Sequence, residues 1–235
     1  MTRVYHITGY PDGSAYLFFY GCNWDCDFCI LKKHMEDVHL DGNFELRIKF
    51  LSINDVMRIL LENEIKEVFL GGGEPTLDPE LEQLIQRMKD NKIRVNVLTN
   101  GELLNERIVS LADSIAFSIK AINEEKHMQI THRSNRKSLE NLRKLYNEKF
   151  RFETVLIKDI LDCDNVLEIV SFLRTFPGKI YIRIDPVIPI SERFIRPGDE
   201  YVNECIEKIN DEKIHAYTIK SKGKNAKILY PNVNS

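Results

Sequence analysis

Apolar runs and amphipathic segments alternate along most of this chain. Residues 15–20 form a continuous apolar and aromatic run bounded by Gly13-Ser14 and Gly21, a pattern typical of a buried parallel strand. Short apolar runs of the same kind recur at 65–70, 93–98, 114–119, 152–157 and 179–184. The alternation predicts six strands of one sheet.

Helical segments are predicted between these runs. Ser52 and Asp55 have the spacing of a capping box, and an apolar stripe follows at Val56, Ile59 and Leu60. Further helices are predicted at 79–90, 102–111, 124–149 with a break at 131–135, 165–176 and 200–213.

Six strand-then-helix units imply parallel strands joined by right-handed crossovers. A complete eight-unit barrel needs about 250 residues, and this chain has 235. We therefore expect a single-domain α/β fold of the partial (β/α)6-barrel type. Its core spans 15–190, an edge segment precedes it at 1–14, and a C-terminal helix and tail follow at 191–235.

Composition and charge narrow the class of protein. Hydrophobic residues make up 43% and charged residues 29%, and the net charge of −3 leaves no electrostatic footprint for nucleic acid. We expect no membrane segment, because no apolar run reaches about 18 residues, and no signal peptide at the N-terminus. Five cysteines, of which three are bunched, do not indicate a secreted disulfide framework. A reducing, cytoplasmic location is therefore expected.

The bunched cysteines follow the first strand as C-x3-C-x2-C, at Cys22, Cys26 and Cys29. Three thiolates leave one position of a metal centre open, whereas structural zinc takes four protein ligands. A redox dithiol or an adventitious zinc site is the alternative. Cys163 and Cys205 are too few for a second cluster and are interpreted as small buried hydrophobic residues.

Other candidate residues also follow predicted strands, where ligands of parallel α/β folds collect. Gly71-Gly72-Gly73 allows a sharp turn and close approach to a ligand, and the Glu74 carboxylate could receive an ammonium group. A plain turn is the alternative there and at Thr99-Asn100-Gly101. Ser118 and Lys120 alternate along one strand and should point the same way.

The cysteine spacing, with the aromatic Phe28 before the third cysteine, resembles the radical S-adenosylmethionine (radical SAM) enzymes, and Gly72-Gly73-Glu74 is similar to their GGE element. The resemblance implies one [4Fe-4S] cluster on Cys22, Cys26 and Cys29. It implies that Gly72, Gly73 and Glu74 bind the SAM amino group and that Phe28 contacts adenine. It further implies reductive cleavage of SAM to a 5′-deoxyadenosyl radical.

Within that superfamily the chain resembles the compact glycyl-radical-enzyme activating enzymes, the pyruvate formate-lyase activating enzyme type. Thr99 and Asn100 match their TNG element, with an indirect role in SAM binding. Lys120 would pair with the SAM carboxylate and Ser118 would reach the ribose, although Ser118 replaces the aspartate of the pattern, as Leu98 replaces another. Arg183 could contact the SAM adenosine or the substrate, with a structural ion pair to Asp185 as the alternative.

These resemblances imply hydrogen abstraction from a protein partner, with ferredoxin or flavodoxin as electron donor. A radical SAM enzyme acting on a small molecule, peptide or cofactor precursor is one alternative, and a non-catalytic Fe-S or zinc protein is a remote one. Trp24 could shield the cluster or only pack. His34 and His39 are interpreted as solvated loop residues rather than ligands, and His127 and His132 as helix-surface residues or caps.

Overall fold

A nine-stranded sheet forms the centre of the computed structural model. The structure describes residues 1–38, 40, 48–219 and 225–231. The strands are β1 (Val4–Gly9), β2 (Ser14–Phe19), β3 (Glu67–Gly72), β4 (Arg94–Thr99), β5 (Ser114–Ser118), β6 (Phe150–Leu156), β7 (Ile180–Pro186), β8 (Ile214–Tyr217) and β9 (Lys227–Tyr230). Their order in the sheet is β8-β7-β6-β5-β4-β3-β2-β1-β9.

Strands β2 to β8 run parallel to one another, while β1 is antiparallel to both β2 and β9. The helices are α1 (Ile53–Glu62), α2 (Leu81–Asp90), α3 (Glu106–Leu111), α4 (Glu124–Thr131), α5 (Arg136–Leu145), α6 (Cys163–Leu173) and α7 (Asp199–Ile209). The result is a single α/β domain whose sheet is parallel for most of its width and does not close, as in a partial barrel.

One face of the sheet packs against the helices. Side chains of alternate strand positions, such as Leu17, Val97 and Phe117, are fully buried there with the apolar stripes of the helices. Burial of apolar surface is the main force that holds such a layer together. The opposite face carries polar side chains, including Tyr16 and Glu153.

Tyr16 and Glu153 lie on strands of the sheet that are not neighbours, β2 and β6. Four strand spacings separate these strands, which is about 19 Å in a flat sheet. Burial raises the pKa of Tyr16, and the Glu153 carboxylate raises it further. This electrostatic effect across four strands is what a sheet curved as in a partial barrel would give.

The six strands expected from the apolar runs are confirmed as β2 to β7. The capping box at α1 is also confirmed, because the Asp55 N–H donates to Ser52 Oγ at 3.1 Å and the Ser52 N–H to Asp55 Oδ2 at 3.3 Å. The predicted helix break separates α4 from α5. His132 caps α4 there with a φ of 55°.

The predicted edge segment at 1–14 contains a regular strand at Val4–Gly9. These residues form β1, and β9 covers its outer side. His6 and Thr8 are polar but fully buried. Their polar atoms are satisfied there, because His6 Nδ1 donates to the Tyr230 carbonyl at 2.8 Å and His6 Nε2 lies 3.1 Å from Thr8 Oγ1. The polar residues hide the buried strand from a sequence pattern, because the carbonyl that satisfies His6 belongs to Tyr230, far away in the chain.

Two features of the C-terminal part also differ from the sequence prediction. Strands β8 and β9 were not predicted, and β8 adds a seventh parallel strand beyond β7. Cys163 and Cys205 are buried, as expected, but they form a disulfide between α6 and α7 instead of standing as separate hydrophobic residues.

Among the described ranges, every helix is too short or too polar for a bilayer crossing. His39 and the predicted turn at Asp41-Gly42-Asn43 lie outside the described residues.

Candidate functional site

The carboxyl ends of four adjacent parallel strands bring the candidate residues to one edge of the sheet. The cysteine loop follows β2, the glycine loop follows β3, Thr99 ends β4 and Ser118 ends β5. Arg183, expected at a strand end, instead lies in the middle of β7, with β6 between it and β5. The sequence placed the other residues at strand ends, and the sheet order makes those four ends neighbours.

The cysteine loop carries three free thiols. Cys22 is exposed, while Cys26 and Cys29 are half-buried. Surrounding protein atoms desolvate the sulfurs, which raises the pKa of the Cys22 thiol to about 12 and that of Cys26 to about 11. The Cys26 and Cys29 thiols also raise the pKa of Cys22, by a smaller effect than burial. A bound cation would favour the thiolates.

The end of α4 holds the cysteine loop in place. The Asp25 N–H donates to the Thr131 carbonyl at 3.0 Å, and the Asp27 N–H to the Ile130 carbonyl at 2.9 Å. The Asp27 carboxylate also lies 2.7 Å from His132 Nε2, and this contact holds its pKa below the usual value. The last carbonyls of α4, which have no partner inside the helix, therefore serve to fix the loop between Cys22 and Cys29.

Trp24 lies inside the loop and is only 6% exposed. Its Nε1–H donates to Glu102 Oε2 at 2.6 Å, and its ring packs edge-on against His127 with the centroids 4.5 Å apart. The sequence suggested that His127 lies on the helix surface. In the structure it is buried instead, with 1% of its surface exposed. Burial lowers the pKa of His127, which favours a neutral imidazole beside the loop.

Three free cysteine thiols make up the candidate donor set. Across the residues that the structure describes, no three His, Cys, Asp or Glu side chains converge on a single metal position. A [4Fe-4S] cluster needs thiolates that each bind a different iron. The three unpaired thiols on this loop of eight residues have the chemistry for that role, one thiolate for each of three irons.

The glycine loop crosses the end of β2 at very short range. Gly72 has a φ of +88°, a conformation that glycine adopts without strain. The Gly73 N–H donates to the Phe19 carbonyl at 2.9 Å, and a Cβ on Gly73 would overlap the Gly21 carbonyl oxygen. The sequence predicted that these glycines allow close approach to a ligand. In the structure they allow close approach to the start of the cysteine loop.

Glu74 is buried beneath this edge, with 2% of its surface exposed. Its Oε1 accepts hydrogen bonds from Thr76 N, Thr76 Oγ1 and Thr99 Oγ1, and its Oε2 accepts one from Asn100 N at 2.7 Å. Burial raises the pKa of Glu74, although these hydrogen bonds oppose the shift. The carboxylate therefore ties the glycine loop to the turn after β4.

Ser118 and Lys120 point the same way, as expected, and the Lys120 ammonium donates to Ser118 Oγ at 2.6 Å. The charge of Lys120 acts to lower the pKa of Cys26, against the larger effect of burial. The Lys120 charge thus favours the Cys26 thiolate.

Arg183 forms ion pairs with two carboxylates, Glu153 Oε2 and Asp185 Oδ2, each at 2.7 Å. Burial lowers the pKa of Arg183, but the two carboxylates raise it more. Burial also raises the pKa of Asp185, which Arg183 partly opposes. The structural ion pair considered from the sequence is thus present and includes Glu153 as a further member.

Phe28 belongs to a small apolar cluster that is separate from the main core. It is 7% exposed and packs edge-on against Phe194, with the ring centroids 6.3 Å apart. The cluster also contains Ile130, Ile157, Leu161 and Val187.

Sequence reasoning missed two residues of this site, Glu102 and Asn23. The Glu102 carboxylate accepts hydrogen bonds from Asn23 Nδ2 at 2.9 Å and from Trp24. Its position directly after Thr99-Asn100-Gly101, at a strand end, is the signal that could have drawn attention to it. His34 Nδ1 lies 3.3 Å from Glu36 Oε1.

Comparison with known proteins gives a family match over most of the sheet. Residues 16–173 match the model of the radical SAM superfamily. A protein of Methanocaldococcus jannaschii, provisionally named as a glycyl-radical enzyme activating enzyme, is 33% identical over 171 residues, 68% of this chain and 62% of that protein. GTP 3′,8-cyclase of Clostridium perfringens is 27% identical over 208 residues, 80% of this chain and 59% of the cyclase. The chain thus spans about three fifths of the length of these relatives.

A solved structure shows the same fold. The radical SAM methyltransferase from Sphaerobacter thermophilus superposes with a TM-score of 0.67 at 21% identity, over 91% of this chain and 68% of that protein.

Proposed function

Because the chain belongs to the radical SAM superfamily, a superfamily of enzymes, we propose that it cleaves SAM reductively and uses the resulting radical for hydrogen abstraction. When bound, a [4Fe-4S] cluster supplies the electron that converts SAM to methionine and a 5′-deoxyadenosyl radical. The observation that carries the proposal is the trio of free thiols on one short loop, next to the glycine loop and Lys120.

Each side chain at the sheet edge receives a role in this proposal. Cys22, Cys26 and Cys29 hold the cluster. The Gly72-Gly73 backbone receives the SAM amino group. The Glu74 oxygens already accept four hydrogen bonds from the protein, so Glu74 acts on the amino group through its negative charge rather than by a direct contact. Thr99 and Asn100 hold that carboxylate in place.

The cationic and apolar groups receive the remaining parts of SAM. Lys120 pairs with the methionine carboxylate, because it is a cation just beyond the end of β5 whose charge acts on Cys26, and Ser118 orients its ammonium. Phe28 offers an apolar wall to adenine. Arg183 and Asp185, which form an ion pair at 2.7 Å, are assigned to the adenosine or substrate end.

A protein partner is the substrate that we favour. The sheet does not close, so its polar inner face is open at one side. The relative from Methanocaldococcus jannaschii supports an activating role, in which the radical removes a hydrogen atom from a glycine of the partner enzyme. Ferredoxin or flavodoxin would supply the electron. We place the reaction in the cytoplasm, because reducing conditions keep the ligand thiols free. Under the same conditions the Cys163–Cys205 pair would be reduced, so the disulfide belongs to the oxidised protein.

A small-molecule substrate is the second candidate. The similarity to GTP 3′,8-cyclase extends over 80% of this chain, more than the similarity to the activating enzyme relative. A closed pocket on the inner face would favour this alternative.

Anaerobic reconstitution tests the common part of the proposal. The protein is loaded with iron and sulfide and reduced in the presence of SAM, and 5′-deoxyadenosine is measured by chromatography for the wild type and for Cys26→Ala. We expect product from the wild type and none from the variant. A loaded, reduced cluster that neither binds nor cleaves SAM would refute the proposal.

Electron paramagnetic resonance then distinguishes the two substrates. An activating enzyme produces a glycyl radical signal in a candidate partner protein. SAM cleavage that is stimulated by GTP, with no protein radical, would instead favour the small-molecule alternative.

A further inference from the structure

The sulfur of Cys22 accepts two N–H groups. The Trp24 backbone N lies 3.4 Å from Cys22 Sγ, and Asn100 Nδ2 lies 3.8 Å from it. The first contact belongs to the cysteine loop itself. The second comes from the turn after β4 and is a contact between two separate parts of the site.

The orientation of the Asn100 carboxamide is fixed by its other hydrogen bonds. Its Oδ1 accepts the backbone N–H of Glu102 at 3.0 Å, and a backbone N–H can only donate. Nδ2 must therefore be the group that faces the cysteine loop. One of its two hydrogens goes to Asn23 Oδ1 at 2.8 Å, which leaves the other for the sulfur.

The backbone of Asn100 is equally constrained. Its N–H donates to Glu74 at 2.7 Å, and its carbonyl accepts from Ser138 Oγ at 2.5 Å. With 6% of its surface exposed, the residue has no room to turn away. A side chain held at both its backbone and its carboxamide oxygen presents its N–H to the sulfur without further ordering.

We propose that Asn100 is a positioning residue that donates an N–H···S hydrogen bond to the cluster ligand Cys22 and thereby raises the reduction potential of the cluster. The inference rests on the proposed function, because it requires a cluster on Cys22. Hydrogen bonds to cluster sulfurs are among the factors that set the potential. They stabilise the reduced cluster more than the oxidised one, because reduction adds negative charge to the sulfurs.

Two variants of Asn100 test this role. Asn100→Asp keeps an oxygen for the Glu102 N–H but replaces the N–H donor with a second oxygen. Asn100→Ala removes the donor without adding charge. It replaces Asn100→Asp in the test if the negative charge of the aspartate prevents the cluster from loading. Ser138→Ala is the matched control, because it removes a hydrogen bond to the same residue but none to the sulfur.

The readout is the potential of the reconstituted cluster, measured by titration with electron paramagnetic resonance detection in the absence of SAM. For the Asn100 variants we expect the reduced-to-oxidised ratio at a fixed applied potential to fall about tenfold, or about 59 mV for one electron. One exchangeable proton coupling to the cluster should also disappear. Ser138→Ala should retain the wild-type potential and couplings.

The possible failures are distinct. An Asn100 variant with a wild-type potential would overturn the inference and leave the proposed function standing. An equal fall in Ser138→Ala would also overturn it, since loop position and not the N–H donor would then set the potential. A wild-type protein that loads no cluster would overturn the proposed function and this inference with it.

Discussion

Glu74 Oε2 accepts the backbone N–H of Asn100 at 2.7 Å, and this contact joins the loops that follow two adjacent strands, β3 and β4. The two loops carry the GGE and TNG elements of the site. Because Asn100 in turn contacts Cys22, the buried carboxylate is connected to a proposed cluster ligand through a single intervening residue. A residue expected to bind SAM is thus also a structural centre of the site.

The first prediction concerns Glu74→Gln. A glutamine amide has one acceptor oxygen, so its NH₂ group would face the N–H of Asn100 or of Thr76, neither of which can become an acceptor. We expect the free energy of unfolding of the iron-free protein to fall by about 2–3 kcal/mol, as measured by urea denaturation. Glu140→Gln, at an exposed position on α5, should change it by less than about 0.5 kcal/mol. Equal losses in the two variants would show that the buried hydrogen bonds of Glu74 do not stabilise the fold.

The second prediction concerns Gly73→Ala. The added methyl group would overlap the Gly21 carbonyl and lie 2.7 Å from that of Phe19, and both are backbone atoms of the β2 end. Overpacking against atoms that cannot move aside costs about 1–3 kcal/mol or more, so we expect a lower melting temperature. Gly198→Ala is the control, because nothing lies within 4 Å of a Cβ built there. A Gly73→Ala protein as stable as the control would contradict the close crossing of the two loops.

The sequence predicted those parts of the fold that depend on local pattern. Apolar runs such as 15–20 define buried strands whatever their neighbours, and Ser52 caps its helix through Asp55, which is three residues away. The strand order then follows from short right-handed crossovers. The positions of the cysteine, glycine and Thr99-Asn100 loops at one sheet edge were predictable for the same reason.

The parts that the sequence did not predict depend on partners far away in the chain. Strand β1 is completed by β9, and His6 is satisfied by the carbonyl of Tyr230. Each terminal strand has four residues, too few for a clear pattern. The role of Glu102 likewise depends on Trp24, which is brought to it only by the fold.

The third prediction concerns the pairing of Cys163 with Cys205. The bond links positions 42 residues apart, and a cross-link of this kind restricts the unfolded chain. We expect Cys205→Ala to lower the free energy of unfolding of the oxidised, iron-free protein by about 2–4 kcal/mol. In the presence of dithiothreitol, the wild type and the variant should differ much less. Alkylation of all five cysteines in the unreduced, denatured wild type would show that the disulfide does not form.

The fourth prediction is a pH dependence that arises from Asp113. Burial raises the pKa of Asp113, but Lys89 Nζ, 2.6 Å from its carboxylate, and the Val95 N–H lower it more, so the net pKa lies below the usual value. A carboxyl with a depressed pKa stabilises the fold above its unfolded pKa of about 3.9, and the contribution is lost as the pH falls through the folded value.

The measurement compares Asp113→Asn with the wild type across this range. Near neutral pH the variant should be less stable by about 1 kcal/mol, and the difference should shrink as the pH falls below about 4. Asp90→Asn, at an exposed position on α2, serves as the control and should show no such change. A difference that stays constant down to about pH 3 would mean that Asp113 has no depressed pKa in the fold.

The last prediction tests Lys120 as the partner of the SAM carboxylate. Its ammonium group donates to Ser118 Oγ at the end of β5, and its charge lowers the pKa of the Cys26 thiol, against the larger effect of burial. Lys120→Gln keeps much of the side-chain length and a hydrogen-bond donor but removes the charge. Because a hydrogen bond to a charged group contributes about 1.5–3 kcal/mol, SAM affinity should fall by about tenfold to a hundredfold. Equilibrium dialysis of SAM with the reconstituted protein measures the change.

Lys137→Gln is the matched control, since Lys137 is an exposed lysine on α5 that lies outside the site. It should bind SAM like the wild type. Iron content must be equal in the three proteins, because the Lys120 charge also favours the Cys26 thiolate and its loss could weaken cluster binding. Equal iron with weaker SAM binding assigns the charge to the cofactor. Equal iron with unchanged SAM binding would instead leave Lys120 with a role toward the cysteine loop alone.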